Sequence, residues 1–173
     1  MRRIITYLLS FLAIGCQAQD SQPQRCMNPA FDKKVNSLIR YSVPVVTPAE
    51  LVEMGDDVLV LDAREMREYK VSHIPGAVYI GYDDFDEDRI LGAKKDQQIV
   101  VYCSVGYRSE KIGERLQKLG YRKVNNLFGS IFEWVNQGHP LENNQEESAS
   151  LIHTYNKKWG KWMENPEYEK VYK

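Results

Sequence analysis

A thiol, a glycine and a guanidinium follow one another in a short segment of this 173-residue chain. Cys103 ends an apolar run, Gly106 comes next, and Arg108 completes the segment. A deprotonated thiol is a strong nucleophile, and it is stabilised where backbone N–H groups and a cation surround the sulfur. Gly106 allows the loop to curl so that N–H groups point inward, and Arg108 supplies positive charge. The pattern predicts a reactive thiol at Cys103 instead of the inert, buried cysteine that commonly ends a strand.

The neighbours of Cys103 are expected to act mainly through their backbone N–H groups. Lowering a thiol pKa from about 8.5 to about 7 takes roughly 2 kcal/mol, whereas a helix N-terminus commonly supplies about 0.3 to 1 kcal/mol. A second donor is therefore needed, and the planar Arg108 cation is the candidate. The residues predicted to bind substrate in this loop are Ser104, Val105, Gly106, Tyr107, Arg108 and Ser109.

Three other polar residues are candidates for supporting roles. Asp62 ends a second apolar run, where its carboxylate could hold Arg64 or backbone N–H groups near the reactive loop, although stabilising a turn is the commoner role. His73 precedes a proline–glycine turn. We expect Asp62, Arg64 and His73 to support the site, with Cys103 as the nucleophile.

These residues depend on elements that alternate along the chain. The β-rich segments are residues 43–46, 58–61, 78–80, 99–102 and 124–127, and the helical stretches between and after them are 65–71, 83–90, 109–119 and 131–137. The runs at 58–61 and 99–102 are continuously apolar, as in strands that are buried on both faces of a parallel sheet. The order predicts an α/β fold with an open, mostly parallel five-stranded sheet and helices on both faces. Cys103 would then lie at the carboxyl edge of the sheet, where such folds bind ligands.

The first eighteen residues have the character of an export signal. Two arginines precede an apolar run over residues 4–14, which is too short to span a bilayer but suits a secretory signal peptide. The Leu-Ala-Ile-Gly-Cys sequence ending at Cys16 resembles a bacterial lipobox, in which the cysteine becomes lipidated, although Ala13 stands where leucine is usual. Cleavage after Ala18 by ordinary signal peptidase is the alternative. The chain is expected to be exported, as a periplasmic protein or a membrane-anchored lipoprotein.

Export changes how the remaining cysteines are interpreted. An oxidising compartment could join Cys26 to Cys103 and silence the reactive thiol, which would make the chain a thiol redox component. No Cys-x-x-Cys motif supports that alternative. Cys26 lies just before a predicted helix in a polar segment, which we expect to be mobile, so we interpret Cys26 as a spare thiol.

The segments on either side of the sheet have their own patterns. Residues 19–42 contain a short predicted helix that begins at an Asn-Pro pair, and residues 142–173 form a tail. Apolar residues recur in the tail at helical spacing: Leu151, Ile152, Tyr155, Trp159, Trp162 and Met163. The spacing predicts a C-terminal helical extension packed on its own domain, with a membrane surface or a partner protein as alternatives.

Composition excludes some classes of function. The net charge of −1 comes from interspersed acids and bases, so the chain has no broad cationic surface for nucleic acid. The three histidines are far apart in sequence, and we expect no metal site.

Three segments together resemble the rhodanese family, in the order in which that family has them. They are Leu61-Asp62-Ala63-Arg64-Glu65, His73-Ile74-Pro75-Gly76-Ala77-Val78 and Tyr102-Cys103-Ser104-Val105-Gly106-Tyr107-Arg108-Ser109. Residues 126–134 resemble the family's terminal strand, turn and helix, with Ser130 where a second glycine is common. The resemblance covers residues 43–141 and implies a single rhodanese-like domain.

The resemblance implies a sulfurtransferase whose Cys103 carries a persulfide. A small-molecule donor such as thiosulfate would load the thiol, and a thiol or cyanide-like acceptor, or a protein acceptor, would take the sulfur, with no cofactor. Arg108 would orient thiosulfate or stabilise the persulfide, and a histidine at the place of His73 would more often fix the loop into the next strand than transfer protons. The main alternative is a binding or sulfur-carrier module with little turnover on free thiosulfate.

A phosphatase function is disfavoured by the length of the loop. Phosphatases and arsenate-reducing relatives of the rhodanese fold place five residues between the cysteine and the arginine, whereas four residues separate Cys103 from Arg108 here. The smaller ring fits a sulfur atom on Cys103 better than a phosphate group.

Overall fold

The computed structural model describes residues 23–145 and 147–172. The predicted signal segment, residues 1–18, and the predicted lipidation site, Cys16, lie outside the described residues. In the described ranges, no helix is long and apolar enough to cross a membrane.

A five-stranded parallel sheet forms the centre of the molecule. Its strands are β1 (Val45–Val46), β2 (Leu59–Asp62), β3 (Val78–Tyr79), β4 (Gln98–Tyr102) and β5 (Lys123–Leu127). In space they follow the order β1-β5-β4-β2-β3, with every neighbouring pair parallel. Because parallel strands end at the same edge, the residues after β2, β4 and β5 meet there. The predicted fold class is confirmed.

Helices connect and flank these strands. They are α1 (Pro29–Asn36), α2 (Pro48–Glu53), α3 (Met66–Val71), α4 (Tyr107–Lys118), α5 (Ser130–Asn136) and α6 (Lys157–Gly160). The Asn28 side chain caps α1 by accepting from two backbone N–H groups, and Thr47 with Glu50 forms a capping box at α2. Both helices begin with proline at the first helical position.

The segment expected to be helical over residues 83–90 is only a short 3-10 turn, Glu87–Ile90. The Asp84 carboxylate instead accepts from the Tyr79 hydroxyl at 2.7 Å and from Arg89 at 3.1 Å. Asp86 has extended backbone and caps the turn with its side chain, so helical structure cannot begin earlier.

The two faces of the sheet each carry a hydrophobic cluster. Val100 and Tyr102 of β4 face the cluster that includes α1, α2 and α5, whereas Ile99 and Val101 face the cluster that includes α4. All four β4 side chains are fully buried. This alternation follows from the two-residue period of a strand, and it places helices on both faces as expected.

The tail contains a helix, α6, but the prediction of one continuous helix through residues 151–163 is wrong. Strands β6 (Leu151–His153) and β7 (Glu169–Val171) flank α6 and pair in parallel. Tyr155 adopts a positive φ of 62°, which no α-helix can contain, and Asn156 then caps α6 with its side chain.

The tail nevertheless packs on its own domain. Ile152 and Met163 are fully buried in the cluster on the α1 side of the sheet. Trp162 stacks on Phe31 of α1 with ring centroids 5.5 Å apart. Of the six residues in the predicted apolar stripe, Ile152 and Met163 are buried and Trp159 and Trp162 are partly buried, whereas Leu151 and Tyr155 are exposed, so the predicted packing is only partly reached and through a different secondary structure.

Candidate active site

Cys103 lies between the end of β4 and the start of α4, with 1% of its surface exposed. The Gly106 backbone N–H donates to its Sγ at 3.2 Å. Gly106 can turn the loop in this way because its φ is 113°, a conformation that side chains rarely allow. The Ser109 hydroxyl lies 3.5 Å from Sγ, and the Cys103 N–H donates to the Ser130 hydroxyl at 3.1 Å. The Ser130 hydroxyl itself lies 4.0 Å from Sγ, so polar groups of the loop and of the first turns of α4 and α5 surround the sulfur.

Competing effects determine the protonation of this thiol. Burial raises the pKa of Cys103, but the positive charge of Arg108 and hydrogen bonds from Ser109 and Gly106 lower it more. The net result is a pKa below that of an ordinary cysteine thiol. A lowered thiol pKa is one requirement of the nucleophilic role that the sequence pattern predicts for Cys103.

Arg108 is held by a carboxylate that the sequence analysis missed. Its guanidinium donates to both Glu68 carboxylate oxygens, at 2.6 and 3.0 Å, and to the Ser104 hydroxyl at 2.9 Å. Glu68 belongs to α3 and is fully buried. Burial raises the pKa of Glu68, but hydrogen bonds and charge from Arg108, together with the charge of Arg64, hold it at about 2. The positive charge beside Cys103 is therefore paired with a permanent negative charge.

Asp62 and Arg64 form a second buried ion pair at the same edge of the sheet. Arg64 donates to both Asp62 oxygens, with the shortest distance 2.6 Å, and also to the Ser72 carbonyl. The Tyr102 hydroxyl donates to Asp62 at 2.6 Å and accepts from the Ile74 N–H. These contacts join the ends of β2 and β4 to the segment that leads into β3. The pair is thereby placed where it can fix the chain that carries Cys103.

His73 lies in the segment between α3 and β3. Its ring stacks on Tyr69 with centroids 3.9 Å apart, and its Nδ1 lies 3.1 Å from the Tyr69 carbonyl oxygen. Two backbone hydrogen bonds and a 3.4 Å side-chain contact join His73 to Glu142. In this position it links α3 to the start of the tail.

A cavity of about 390 Å³ opens above the sulfur of Cys103. Of the six residues predicted to bind substrate, four line the cavity (Ser104, Val105, Tyr107 and Arg108), whereas the Gly106 N–H and the Ser109 hydroxyl face Sγ. The other lining residues were not predicted: Leu38, Glu65, Tyr82, Asp83, Tyr155 and Trp159. They come from distant parts of the chain, so no local spacing in the sequence could have indicated them.

The expectation that Cys26 lies in a mobile polar segment is wrong. It is 3% exposed and belongs to the hydrophobic cluster on the α1 side of the sheet. Burial raises its pKa far above the ordinary value, and the nearby Glu133 and Asp32 carboxylates raise it further. Cys26 and Cys103 are both free thiols here. The two cysteines thus have opposite chemistry, one protonated in the core and one activated at the cavity.

Through residues 23–145 and 147–172, no group of three or more His, Cys, Asp or Glu side chains is arranged to hold a metal ion.

Comparison with known proteins identifies a family match and two partial relatives. The sequence profile of the rhodanese-like domain family matches residues 47–137, slightly more than half of the chain. A putative sulfur carrier protein of Bacillus subtilis is 32% identical over 84 residues, which are 49% of this chain and 45% of that protein. The tRNA uridine(34) hydroxylase of Escherichia coli is 36% identical over 104 residues, which are 54% of this chain and 30% of that enzyme. The chain thus spans less than half the length of each of these relatives.

Solved structures agree with the sequence match. The rhodanese-like domain of an Anabaena protein superposes with a TM-score of 0.53 and 25% identity, covering 58% of this chain and 79% of that one. A rhodanese-like domain protein of Staphylococcus aureus gives a TM-score of 0.51 and 27% identity, covering 58% and 98%.

Proposed function

The chain belongs to the rhodanese-like domain family, and on that premise we propose that it is a sulfurtransferase that moves a sulfane sulfur from a donor such as thiosulfate to a thiophilic acceptor. The observation that carries the proposal is the placement of Cys103, whose sulfur accepts a hydrogen bond from Gly106 at 3.2 Å and faces the cavity. A thiol with a lowered pKa at the base of a cavity can attack a ligand that reaches into that cavity.

In the first half-reaction, the Cys103 thiolate attacks the outer sulfur of the donor. A bond forms between Sγ and that sulfur, while the donor's own sulfur–sulfur bond breaks and its electron pair leaves with sulfite when the donor is thiosulfate. The product on the protein is a persulfide anion. The Arg108 cation and the loop N–H groups, which lower the thiol pKa, can also stabilise this anion.

In the second half-reaction, a cyanide ion or a thiolate attacks the outer sulfur of the persulfide. The bond between the two persulfide sulfurs breaks, its electron pair returns to Sγ, and the acceptor leaves with one sulfur atom. The thiolate is regenerated, so the two half-reactions need no external oxidant or reductant. A ping-pong kinetic pattern follows from this sequence.

The test is thiocyanate formation from thiosulfate and cyanide by the reduced protein, beside mass spectrometry after incubation with thiosulfate alone. We expect turnover, and the gain of one sulfur atom by the wild type. Cys103→Ala should abolish both, whereas the matched Cys26→Ala substitution should keep turnover within about twofold, because Cys26 does not line the cavity. A wild type that neither gains sulfur nor forms thiocyanate would refute the proposal.

A sulfur-carrier function is the second candidate, and one observation favours it. Arg108, the cation of the cavity lining, is paired in a bidentate manner with Glu68, which reduces its attraction for a free anion such as thiosulfate. The similarity to a putative sulfur carrier protein points the same way. A carrier should hold a persulfide on Cys103 for long periods and release it slowly to every small acceptor. Fast thiocyanate formation would contradict this candidate.

A further inference from the structure

Three residues of the cavity come from outside the segment that matches the family. Leu38 follows α1, and Tyr155 and Trp159 belong to the tail, whereas the family match covers residues 47–137. We call these three residues the flank wall. Since the family's sequence does not determine them, the ligand that they contact must be inferred from this chain alone.

Tyr155 of the flank wall is held beside the Cys103 loop. Tyr155 lies two residues after the end of β6, which packs against α3, and its positive φ of 62° is a strained conformation for a side-chain-bearing residue. Its ring lies 5.4 Å from the Arg108 guanidinium, so the tail reaches the reactive loop. Tyr155 is still 42% exposed. An exposed aromatic ring held in a strained conformation beside a nucleophile is well placed to contact a ligand.

The charges of the cavity disfavour a small dianion. The only lining cation among the described residues is Arg108, and the Glu68 carboxylate already pairs with it at 2.6 Å. Two carboxylates line the cavity, Glu65 and Asp83, and Arg67 pairs with Glu65 at 3.0 Å. The Asp83 charge and the thiolate therefore oppose an approaching dianion without a matching free cation.

The rest of the lining favours an organic group. Apolar and aromatic side chains form most of it: Leu38, Tyr82, Val105, Tyr107, Tyr155 and Trp159. A cavity of about 390 Å³ is also far larger than thiosulfate requires, and it suits a ligand with an aromatic ring.

We propose that the flank wall binds the organic group of the sulfur donor, and that this donor is an organic sulfane-sulfur compound with an aromatic group and at most one negative charge. The inference rests on the proposed function and specifies its substrate class. For an organic thiosulfonate, the Cys103 thiolate attacks the terminal sulfur, the sulfur–sulfur bond breaks, and the electron pair leaves with the sulfinate.

The experiment compares three donors with cyanide as the acceptor: thiosulfate, methanethiosulfonate and benzenethiosulfonate. For the wild type we expect kcat/KM to be highest for benzenethiosulfonate and lowest for thiosulfate, with the aromatic donor about tenfold better than the methyl donor. The ratio of these two thiosulfonates isolates the organic group, because both carry one charge. Each of Tyr155→Ala and Trp159→Ala should lower that ratio about fivefold relative to the wild type.

The variants have a matched control in the same tail. Tyr172 is 39% exposed and does not line this cavity, so Tyr172→Ala should leave the ratio unchanged. Because Tyr155 is exposed, Tyr155→Ala should keep the wild-type melting temperature even if Trp159→Ala loses some stability.

The outcomes separate the inference from the proposed function. Two outcomes would overturn the inference and leave the sulfurtransferase proposal standing. In the first, the enzyme turns over but both flank-wall variants keep the wild-type ratio of kcat/KM for benzenethiosulfonate to kcat/KM for methanethiosulfonate. In the second, thiosulfate is the best of the three donors. No turnover with any of the three donors would overturn the proposed function, and the inference with it.

Discussion

Replacing Glu68 by glutamine tests the buried pair that holds Arg108. Holding the pKa of Glu68 at about 2 instead of the ordinary 4.5 corresponds to about 3 kcal/mol of folding free energy at pH 7, at about 1.4 kcal/mol for each pKa unit. Glu68 is fully buried, so solvent does not screen this contribution. We therefore expect Glu68→Gln to lower the free energy of unfolding by about 3 kcal/mol at pH 7.

The pH dependence of this loss has a definite sign. Because the folded-state pKa of Glu68 lies below the unfolded-state value, the stabilisation is complete above about pH 5 and is lost as the pH falls from 4.5 toward about 2. The difference between wild type and Glu68→Gln should therefore shrink to about half at pH 3.

Urea denaturation followed by tryptophan fluorescence, at about pH 7, 5 and 3, measures both effects. The control is Glu114→Gln, which removes a partly exposed pair with Lys111 on α4 and should cost less than about 1 kcal/mol at any of these pH values. A loss from Glu68→Gln below about 1 kcal/mol at pH 7, or one that does not shrink at pH 3, would refute the reasoning.

Three further predictions follow from the site and the chain's N-terminus. Asp83→Asn should raise kcat/KM for thiosulfate about threefold at low salt, and less at high salt, because it removes a cavity carboxylate; Asp86→Asn, outside the lining, should not change it. Arg108→Gln should raise the pKa of Cys103, and Arg108→Lys should raise it less because the charge remains, which the pH dependence of iodoacetamide alkylation would measure. We also propose export with lipidation at Cys16; labelled palmitate should enter the wild type and not Cys16→Ala, and equal labelling of both would contradict lipidation there.

The sequence predicted the local structure around Cys103 well because the signals are local. An apolar strand, a glycine and a helix start lie next to one another around Cys103, and the structure arranges them as the pattern indicated. Glu68 was missed for the opposite reason. In the sequence, Glu68 is one of several charged residues in a predicted helix. In the structure, it completes a capping box with Glu65. Only the packing of α3 against the loop buries Glu68 beside Arg108. The one signal in the sequence was Arg108 itself, because a guanidinium placed beside a buried loop needs a carboxylate partner.

The tail and Cys26 were mispredicted because periodicity and local polarity do not determine tertiary contacts. The tail's apolar spacing fits one helix, but the positive φ of Tyr155 divides it into two strands and a short helix. Cys26 has polar neighbours in sequence, yet it is buried beside Gly129, which precedes the distant helix α5, and Glu133 within that helix. In both cases, contacts between residues far apart in the chain decided the outcome.

The segments that flank the family match on either side pack together in one hydrophobic cluster, so the matched region is not an independent unit. Phe31 stacks on Trp162, and the Asn28 side chain donates to Glu164 at 2.7 Å, so segments before and after residues 47–137 share one core. An excised fragment limited to the family's boundaries would expose that core and would not represent the native protein. The same layout places Cys103 in one stretch of the chain and much of its surrounding surface in others. Under the proposed function, variation in the flanks would alter donor preference while the Cys103 loop stays constant.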